Sequence, residues 1–181
     1  MKMGGTKPGF LIRPADEVDL PILTSIYETH VRTGTATFEE IPPDLAEMTR
    51  RWRAIAEAGL PYLVAECEGA LAGYAYASTY RPRSAYRFSV EDSLYLDPAF
   101  VGQGIGRALL GRLIEDATSR GKRRMIAIIG GSENAASIGL HRALGFAEVG
   151  TLKSVGFKFG RWLDTVLMQR ALGPGAETLP E

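Results

Sequence analysis

Three glycines in alternate positions separate an apolar strand pattern from an amphipathic helix pattern. The strand pattern ends at Asp97-Pro98, and the glycines are Gly102, Gly104 and Gly106. Glycine lets the backbone turn tightly and places no side chain between its N–H groups and a ligand. The helix start adds unpaired N–H groups and the positive end of the helix dipole. Together these features predict an anion site of the kind that binds a pyrophosphate, and therefore a phosphorylated cofactor.

The glycine spacing separates this loop from two common phosphate-binding motifs. A dinucleotide fingerprint counted from Gly102 would need glycine where Arg107 stands. Counted from Gly104, it would need glycine where Leu109 stands. The P-loop motif G-x-x-x-x-G-K-[ST] does not occur in the sequence. A strand-to-helix turn that merely uses glycine is the alternative interpretation, and the loop alone leaves it open.

Two ionisable side chains have types and positions that suit acid–base chemistry. Glu91 lies in a strand pattern among apolar neighbours, and carboxylates are disfavoured inside strands. His141 lies in a helix pattern, and an ordinary histidine pKa of about 6.5 suits proton transfer at neutral pH. Each residue also has a structural interpretation. Glu91, like Asp92 beside it, can belong to a solvated strand face, and His141 can be a surface or packing residue.

A group of arginines precedes Glu91 in the chain. Arg81, Arg83 and Arg87 flank Tyr86, and a guanidinium can hold a carboxylate or phosphinate through two hydrogen bonds. In isolation such a basic loop is more often solvated, so the arginines alone do not establish a binding site.

Two motifs resemble those of the GNAT superfamily of acetyl-CoA-dependent N-acetyltransferases. Residues 101–106 are similar to its [QR]-x-x-G-x-[GA] motif, with Val101 where Gln or Arg is usual. Backbone donors do not depend on that side chain, so the departure concerns cofactor affinity more than cofactor identity. Residues 134–146 are similar to its N-x-x-S-x-x-L-Y-x-x-x-G-F element, with His141 where Tyr is usual. His is found there in the phosphinothricin and methionine sulfoximine N-acetyltransferases.

The resemblance to that subfamily covers roughly residues 12–172 and includes segments 37–40, 80–95 and 155–164. It implies transfer of an acetyl group from acetyl-CoA to the α-amine of a methionine sulfoximine-, methionine sulfone- or phosphinothricin-like amino acid. One alternative is acetylation of another amine, such as a peptide N-terminus or a polyamine. The other is a non-catalytic acyl-CoA-binding module.

The resemblance also implies the roles of individual residues. Glu91 is the expected general base, directly or through a water, and His141 is the second expected catalytic residue. A plain helix N-cap is the alternative role of Asn134. The expected cofactor-binding residues are Leu94, Tyr95, Leu96, Val101, Gly102, Gln103, Gly104, Ile105, Gly106, Arg107, Asn134 and Ser137. The expected acceptor-binding residues are Phe38, Arg81, Arg83 and Tyr86, and no metal is expected.

The hydrophobic patterns predict an α+β domain with three layers. The resemblance implies that this domain is of the GNAT type, in which helices flank a central mixed, mostly antiparallel sheet. Antiparallel hairpins come first along the chain, and β-α-β units follow. Strands are predicted at 10–13, 62–66, 71–79, 89–96, 125–129, 146–152 and 162–169. Helices are predicted from Asp16 or Asp19 to about His30, between Pro43 and Gly59, and over 104–120 and 134–144. We expect one domain over 9–172, with loose ends at 1–8 and 173–181.

Composition excludes several classes of protein. The 181 residues include 21 basic and 21 acidic ones, and this balance argues against nucleic acid or an anionic membrane as the main partner. The single Cys67 cannot form an intrachain disulfide. The sequence shows no signal-peptide pattern and no long apolar run, so we expect a cytosolic protein. The resemblance adds an expected homodimer, with Phe157, Phe159 and Trp162 as candidate interface residues. A core position in the closing strand is the alternative for Trp162.

Overall fold

The computed structural model describes residues 9–180, so the expected loose segment 1–8 and the terminal residue 181 lie outside the described residues. The strands are β1 (Phe10–Pro14), β2 (Tyr62–Cys67), β3 (Ala70–Thr79), β4 (Ser89–Leu96), β5 (Arg124–Gly130), β6 (Ala147–Lys158) and β7 (Arg161–Ala171). The helices are α1 (Leu20–Thr33), α2 (Leu45–Glu57), α3 (Ile105–Ser119) and α4 (Ala135–Ala143). Short 3₁₀ turns lie at Glu17–Asp19, Ser84–Tyr86 and Pro98–Phe100.

The seven strands form a mixed sheet in the order β1-β2-β3-β4-β5-β7-β6, which confirms the predicted α+β fold. The β4–β5 pair is parallel, and the other pairs are antiparallel. The strand predicted at 146–152 is longer than expected, because β6 continues to Lys158. Its register shifts between Leu152 and Gly156, and Ser154 has a positive φ of 52°. This irregularity interrupts the alternation from which the strand was predicted.

Polar side chains fix the starts of two helices. Asp44 accepts a hydrogen bond from the Glu47 N–H at 2.8 Å, and Asn134 accepts one from the Ser137 N–H at 3.2 Å. Both contacts satisfy backbone donors that a helix start leaves unpaired. Within residues 9–180, no helix has the length and apolar character needed to cross a membrane.

Alternation along the strands divides the interior into two cores. On β2, Leu63 and Ala65 pack with α3, whereas Tyr62 and Val64 pack with α1 and α2. The same alternation on β4 places Val90 and Leu94 in the first core and Tyr95 against the second. Successive strand residues point to opposite faces. Glu91 and Asp92 therefore face different layers of the domain.

The sheet opens along its middle, where β4 and β5 diverge. These strands pair over only four residue pairs, from Ser89–Arg124 to Asp92–Ala127. Beyond that point β4 stays paired with β3 as far as Leu96, and β5 stays paired with β7 as far as Gly130. The facing edges of 93–96 and 128–130 are thus left without strand partners, and a gap opens between them.

The segment after β7 returns to the other end of β5. The Arg123 guanidinium donates to Thr178 Oγ1 at 3.0 Å and to the Leu179 carbonyl at 3.3 Å. Residues 173–180 form turns here, and the extent of the domain, 9–172, stays a prediction.

Candidate active site

A cavity of about 290 Å³ occupies the gap between β4 and β5. The ends of these two strands, the start of α4 and two residues near the end of α1 line it. The expected site residues among its walls are Leu94, Tyr95, Leu96, Val101, Asn134, Ser137 and His141. Asp92, His30 and Ala36 line the same cavity, although sequence analysis assigned none of them to a site. The cavity therefore joins the motif around residues 101–106 to the motif around 134–146.

The glycine loop has the backbone that an anion site needs. Gly102 and Gly104 adopt positive φ angles of 85° and 87°, and Gly104 is the last residue before α3. The Ala108 N–H donates to the Gly104 carbonyl at 3.2 Å. The N–H groups of Ile105, Gly106 and Arg107 precede that bond, so they have no carbonyl partner within the helix. These amides and the helix dipole form a preorganised anion site beside Val101 and the cavity.

The free edge of β4 offers backbone groups to the gap. The Asp97 N–H donates to the Ala72 carbonyl on β3 at 3.0 Å. Because backbone groups alternate along an antiparallel strand, those of Leu94 and Leu96 turn towards the gap. The Leu96 carbonyl accepts a hydrogen bond from His30 Nε2 at 2.7 Å. The Tyr95 ring instead packs edge-on against Tyr27, with their centroids 4.9 Å apart.

Asn134 lies at the start of α4, on the wall of the cavity. Its side chain caps the helix by accepting from the Ser137 N–H, and the residue also lines the cavity. The cap interpretation is therefore correct, and it is compatible with a contact to a ligand.

His141 and Asp92 form a buried pair on the wall of the cavity. His141 Nε2 lies 2.9 Å from Asp92 Oδ2, and the two side chains are 5% and 2% exposed. His141 Nδ1 lies 2.8 Å from the Ser137 carbonyl. Burial lowers the pKa of His141, but the hydrogen bond and charge of Asp92, together with the Ser137 carbonyl, outweigh it and give a net rise. Sequence analysis treated Asp92 as a residue of a solvated face, because α4 approaches it only in the folded chain.

Glu91 is half-buried on the opposite face of β4, within the last paired residues before the gap. Burial and the negative charge of Asp92 raise the pKa of Glu91, and the positive charge of Arg81 opposes this rise. A carboxylate with a raised pKa is a stronger base than an ordinary one, and the role of Glu91 as the general base stays a prediction.

Phe38 lies at one end of the cavity, in a space that Gly130 and Gly156 leave open because they have no side chains. A side chain at Gly156 would overlap the Phe38 ring, and one at Gly130 would overlap the Thr35 carbonyl. Gly130 and Ala36 line the cavity, so Phe38 lies directly beside it. Sequence analysis identified Phe38 but not the two glycines that make room for its loop.

The loop that carries Phe38 is held by strand β6 on one side and by helices α1 and α2 on the other. Lys158, buried on β6, donates to the Gly34 and Thr37 carbonyls at 2.9 Å each. Tyr27 from α1 hydrogen-bonds Thr37 Oγ1 at 2.8 Å, and Arg51 from α2 pairs with Glu39 at 2.6 Å. We call residues 34–39 the tethered loop.

The expected acceptor residues Arg81, Arg83 and Tyr86 lie in the exposed β3–β4 connection. The Arg81 guanidinium lies 5.1 Å from the Tyr80 ring centroid, and Tyr80 packs edge-on against Tyr86 at 5.7 Å. Neither Arg81 nor Arg83 donates a hydrogen bond to any residue in 9–180. Their guanidiniums are thus available to a ligand. In the same part of the chain, no group of three or more His, Cys, Asp or Glu side chains is arranged to hold a metal ion.

Residues 23–146, which include the glycine loop, both edges of the gap and α4, match the Acetyltransferase (GNAT) family. The chain belongs to this acetyltransferase family. It is 59% identical to a phosphinothricin N-acetyltransferase of Alcaligenes faecalis, over 94% of this chain and 86% of that protein. It is 45% identical to an L-methionine sulfoximine/L-methionine sulfone acetyltransferase of Pseudomonas paraeruginosa, over 90% of this chain and 95% of that protein.

A solved GNAT structure has the same fold. It is a phosphinothricin acetyltransferase from Sinorhizobium meliloti in complex with AcCoA, with a TM-score of 0.93 and 53% sequence identity. The match covers 95% of this chain and 93% of that one. The expected resemblance to this subfamily of the GNAT acetyltransferases is therefore confirmed.

The tethered loop should depend on Lys158. We expect Lys158→Met to lower the free energy of unfolding by about 2 kcal/mol, because it leaves the buried Thr37 carbonyl and the half-buried Gly34 carbonyl without this donor, and an unsatisfied buried group costs roughly 1–3 kcal/mol. Urea unfolding measures the loss, and hydrogen exchange should show faster opening at 34–38. Lys153→Met is the control: Lys153 is on the same strand but 72% exposed, and its loss should change stability by less than about 0.5 kcal/mol. Equal effects of the two changes would contradict the role of Lys158.

Proposed function

We propose that this GNAT acetyltransferase transfers the acetyl group of acetyl-CoA to the α-amine of a phosphinothricin-, methionine sulfoximine- or methionine sulfone-like amino acid. The observation that carries the proposal is the gap between β4 and β5, which has free backbone edges inside and a helix start with free amides at its mouth. The names of the relatives at 59% and 45% identity support the acceptor class.

The groups around the gap suit the parts of acetyl-CoA. We assign the pyrophosphate to the amides from Val101 to Arg107, where the helix dipole favours an anion. The pantetheine arm would contact the backbone groups of Leu94 and Leu96, whereas those of Tyr95, the third expected contact, turn towards β3. Asn134 and Ser137 would meet its thioester end. Acetyl-CoA supplies a thioester whose carbonyl carbon is open to attack by an amine.

The chain's own residues supply the proton transfers. Glu91 removes a proton from the amine, directly or through a water, because its raised pKa brings it closer to neutral pH. His141 provides a proton for the departing sulfur from the other face of β4. The two groups would then act on opposite sides of the thioester, since consecutive residues of β4 face different layers.

The acceptor side combines an apolar wall with free positive charge. The tethered loop holds Phe38 against β5 and β6 beside the cavity, and Tyr86 is a second expected wall. Arg81 and Arg83 are the expected partners for the carboxylate and the phosphinate or sulfone group. The positive charge of Arg81 lowers the pKa of Glu91, which supports a position of the β3–β4 connection close to Glu91. A polyamine would instead call for an acidic pocket.

The expected homodimer would use the exposed edge of the sheet. The edge strand β6 and the start of β7 expose Phe157, Phe159 and Trp162 by 55%, 56% and 66%. An apolar edge strand invites pairing with another chain, and a second copy presents the same apolar strip. Cytosolic location and the absence of nucleic-acid and membrane partners stay predictions.

A panel of acceptors tests the function directly. Release of the CoA thiol from acetyl-CoA is measured with methionine sulfoximine, methionine sulfone, phosphinothricin, ordinary amino acids, a polyamine and a peptide. We expect turnover to concentrate on the first three, and Arg81→Ala or Arg83→Ala to raise the KM of the acceptor more than that of acetyl-CoA.

Two results would redirect the assignment. Turnover on the polyamine or the peptide would support acetyl-CoA as the acetyl donor but contradict the proposed class of acceptor. Binding of acetyl-CoA without turnover on any amine would favour the non-catalytic module.

The base assignment predicts both a rate and a pH dependence. Glu91→Gln should lower kcat by roughly 10²–10⁴-fold, the usual contribution of a general base. Glu57→Gln, on the exposed end of α2, should leave it unchanged. Because Glu91 acts when ionised, kcat/KM should fall on acidification at a pH above the ordinary glutamate pKa of about 4.3. Arg81→Gln removes a charge that lowers this pKa, so the acidic limb should move to higher pH. A limb that stays in place in Glu91→Gln would point to another base.

The dimer proposal is tested by light scattering after size exclusion. We expect the wild-type chain at twice its 19.6 kDa mass and Trp162→Glu at the single-chain mass. Ile41→Glu, at another site that is 83% exposed, should stay dimeric. A wild-type protein that is monomeric at micromolar concentration would remove the proposal.

A further inference from the structure

The Asp92–His141 pair has a geometry that restricts where its protons lie. Both nitrogens of the imidazole face oxygen atoms: Nδ1 is 2.8 Å from the Ser137 carbonyl, and Nε2 is 2.9 Å from Asp92 Oδ2. The Ser137 hydroxyl oxygen lies farther from Nδ1, at 3.4 Å, and the nearer carbonyl oxygen only accepts, so Nδ1 carries a hydrogen. The Nε2–Oδ2 contact is a hydrogen bond only if one more proton lies between these two atoms.

The second oxygen of Asp92 supports the same conclusion. Asp92 Oδ1 is buried and has no hydrogen-bond partner within residues 9–180. A buried carboxylate with one bare oxygen is retained at low cost only when a cation lies beside it, or when it is itself protonated. In both cases the pair as a whole holds one proton in addition to the one on Nδ1.

Within residues 9–180, no charged side chain other than Asp92 contacts the His141 imidazole. On α4, Arg142 is exposed and lies 3.6 Å from Glu148 of β6, and on β7 the Arg170 guanidinium donates to the Leu144 carbonyl. From β4, Glu91 faces the opposite layer. The β5 residues that line the cavity are apolar or glycine, and Phe146 packs its ring edge-on against His141 at 5.0 Å. The protonation of His141 therefore depends chiefly on Asp92.

We propose that Asp92 is a positioning residue that holds His141 in a proton-bearing pair at the cavity wall, so that His141 is the acid of the reaction and never its base. The acid role of His141 rests on the proposed function, whereas the proton-bearing pair does not. The two consecutive carboxylates of β4 then have opposite tasks. Glu91 takes a proton on one face of the strand, and Asp92 keeps one available on the other.

The proton balance of one turnover follows from this division. The free amine forms the C–N bond with the acetyl carbon, and Glu91 takes the proton that the nitrogen loses. The C–S bond breaks with its electron pair on sulfur, and the sulfur takes the proton shared by Asp92 and His141. Solvent water then carries a proton from Glu91 back to the pair, and both groups regain their initial states.

The first test needs neither cofactor nor turnover. The chain has two histidines, so ¹⁵N-labelled imidazole spectra contain two sets of signals, and a His30→Gln variant assigns them. We expect His141 to keep protons on both ring positions, or a proton shared with Asp92, at pH values above the ordinary histidine pKa of about 6.5. In Asp92→Asn the ring should be neutral at pH 7. A wild-type His141 with one bare nitrogen at pH 7 overturns the proposal, and this result is readable even if Asp92→Asn does not fold.

The second test separates an acid from a structural contact. In Asp92→Asn, kcat should fall about 10²-fold or more, the scale of one proton-transfer catalyst, and its decline at alkaline pH should begin at lower pH. The KM of acetyl-CoA should change much less. In a His141→Asn background, Asp92→Asn should have little further effect, because the two residues act as a unit. Asp116→Asn, on the outer face of α3, is the matched control.

The pH profile of Asp92→Asn gives the decisive comparison. An unchanged alkaline limb, or full additivity with His141→Asn, would show that Asp92 acts only through packing. If no acceptor is turned over, the proposed function fails, but the imidazole spectra still decide whether Asp92 holds the proton.

Discussion

The early end of pairing between β4 and β5 is the constraint on which the rest of the structure depends. Four residue pairs join the two half-sheets, and the strands then diverge. Each strand keeps its other neighbour, so the free edges remain extended although they face each other across a cavity. An unpaired strand edge is costly to bury unless it is solvated or occupied. A ligand with amide groups along its length can occupy this edge without any change in the fold.

The two layers around the sheet then give each carboxylate its environment. The side chain of Glu91 faces the layer of α1 and α2, where burial and the nearby Asp92 keep a proton more firmly than in water. Asp92 faces α4, where a histidine compensates its charge. The difference arises from the two-residue period of a strand and not from any special sequence. The carboxyl groups of Glu91 and Asp92 are thus one peptide unit apart along the chain but on opposite faces of the sheet.

Local patterns predicted most of the fold and the glycine loop before α3. The glycine loop could be recognised because Gly102 and Gly104 have positive φ angles, and this backbone conformation favours glycine at those positions in the sequence. The contacts that were missed are long-range ones. Asp92 contacts a residue 49 positions away, and His30 donates to a carbonyl 66 positions away. Glycine is needed at Gly156 only because the Phe38 ring packs against it. Single residues on separate elements carry no periodic pattern that would reveal such meetings.

The tethered loop has a consequence for the order in which the chain folds. Its two bonds from Lys158 span 124 and 121 residues, among the longest sequence separations in the structure. Contacts between residues so far apart in sequence form late in folding, because closing the long loop between them costs conformational entropy. The loop near the N-terminus therefore settles only after the final hairpin of β6 and β7 has formed. During synthesis the tethered loop cannot form these two bonds until residue 158 has been made, so its final position depends on a nearly complete chain.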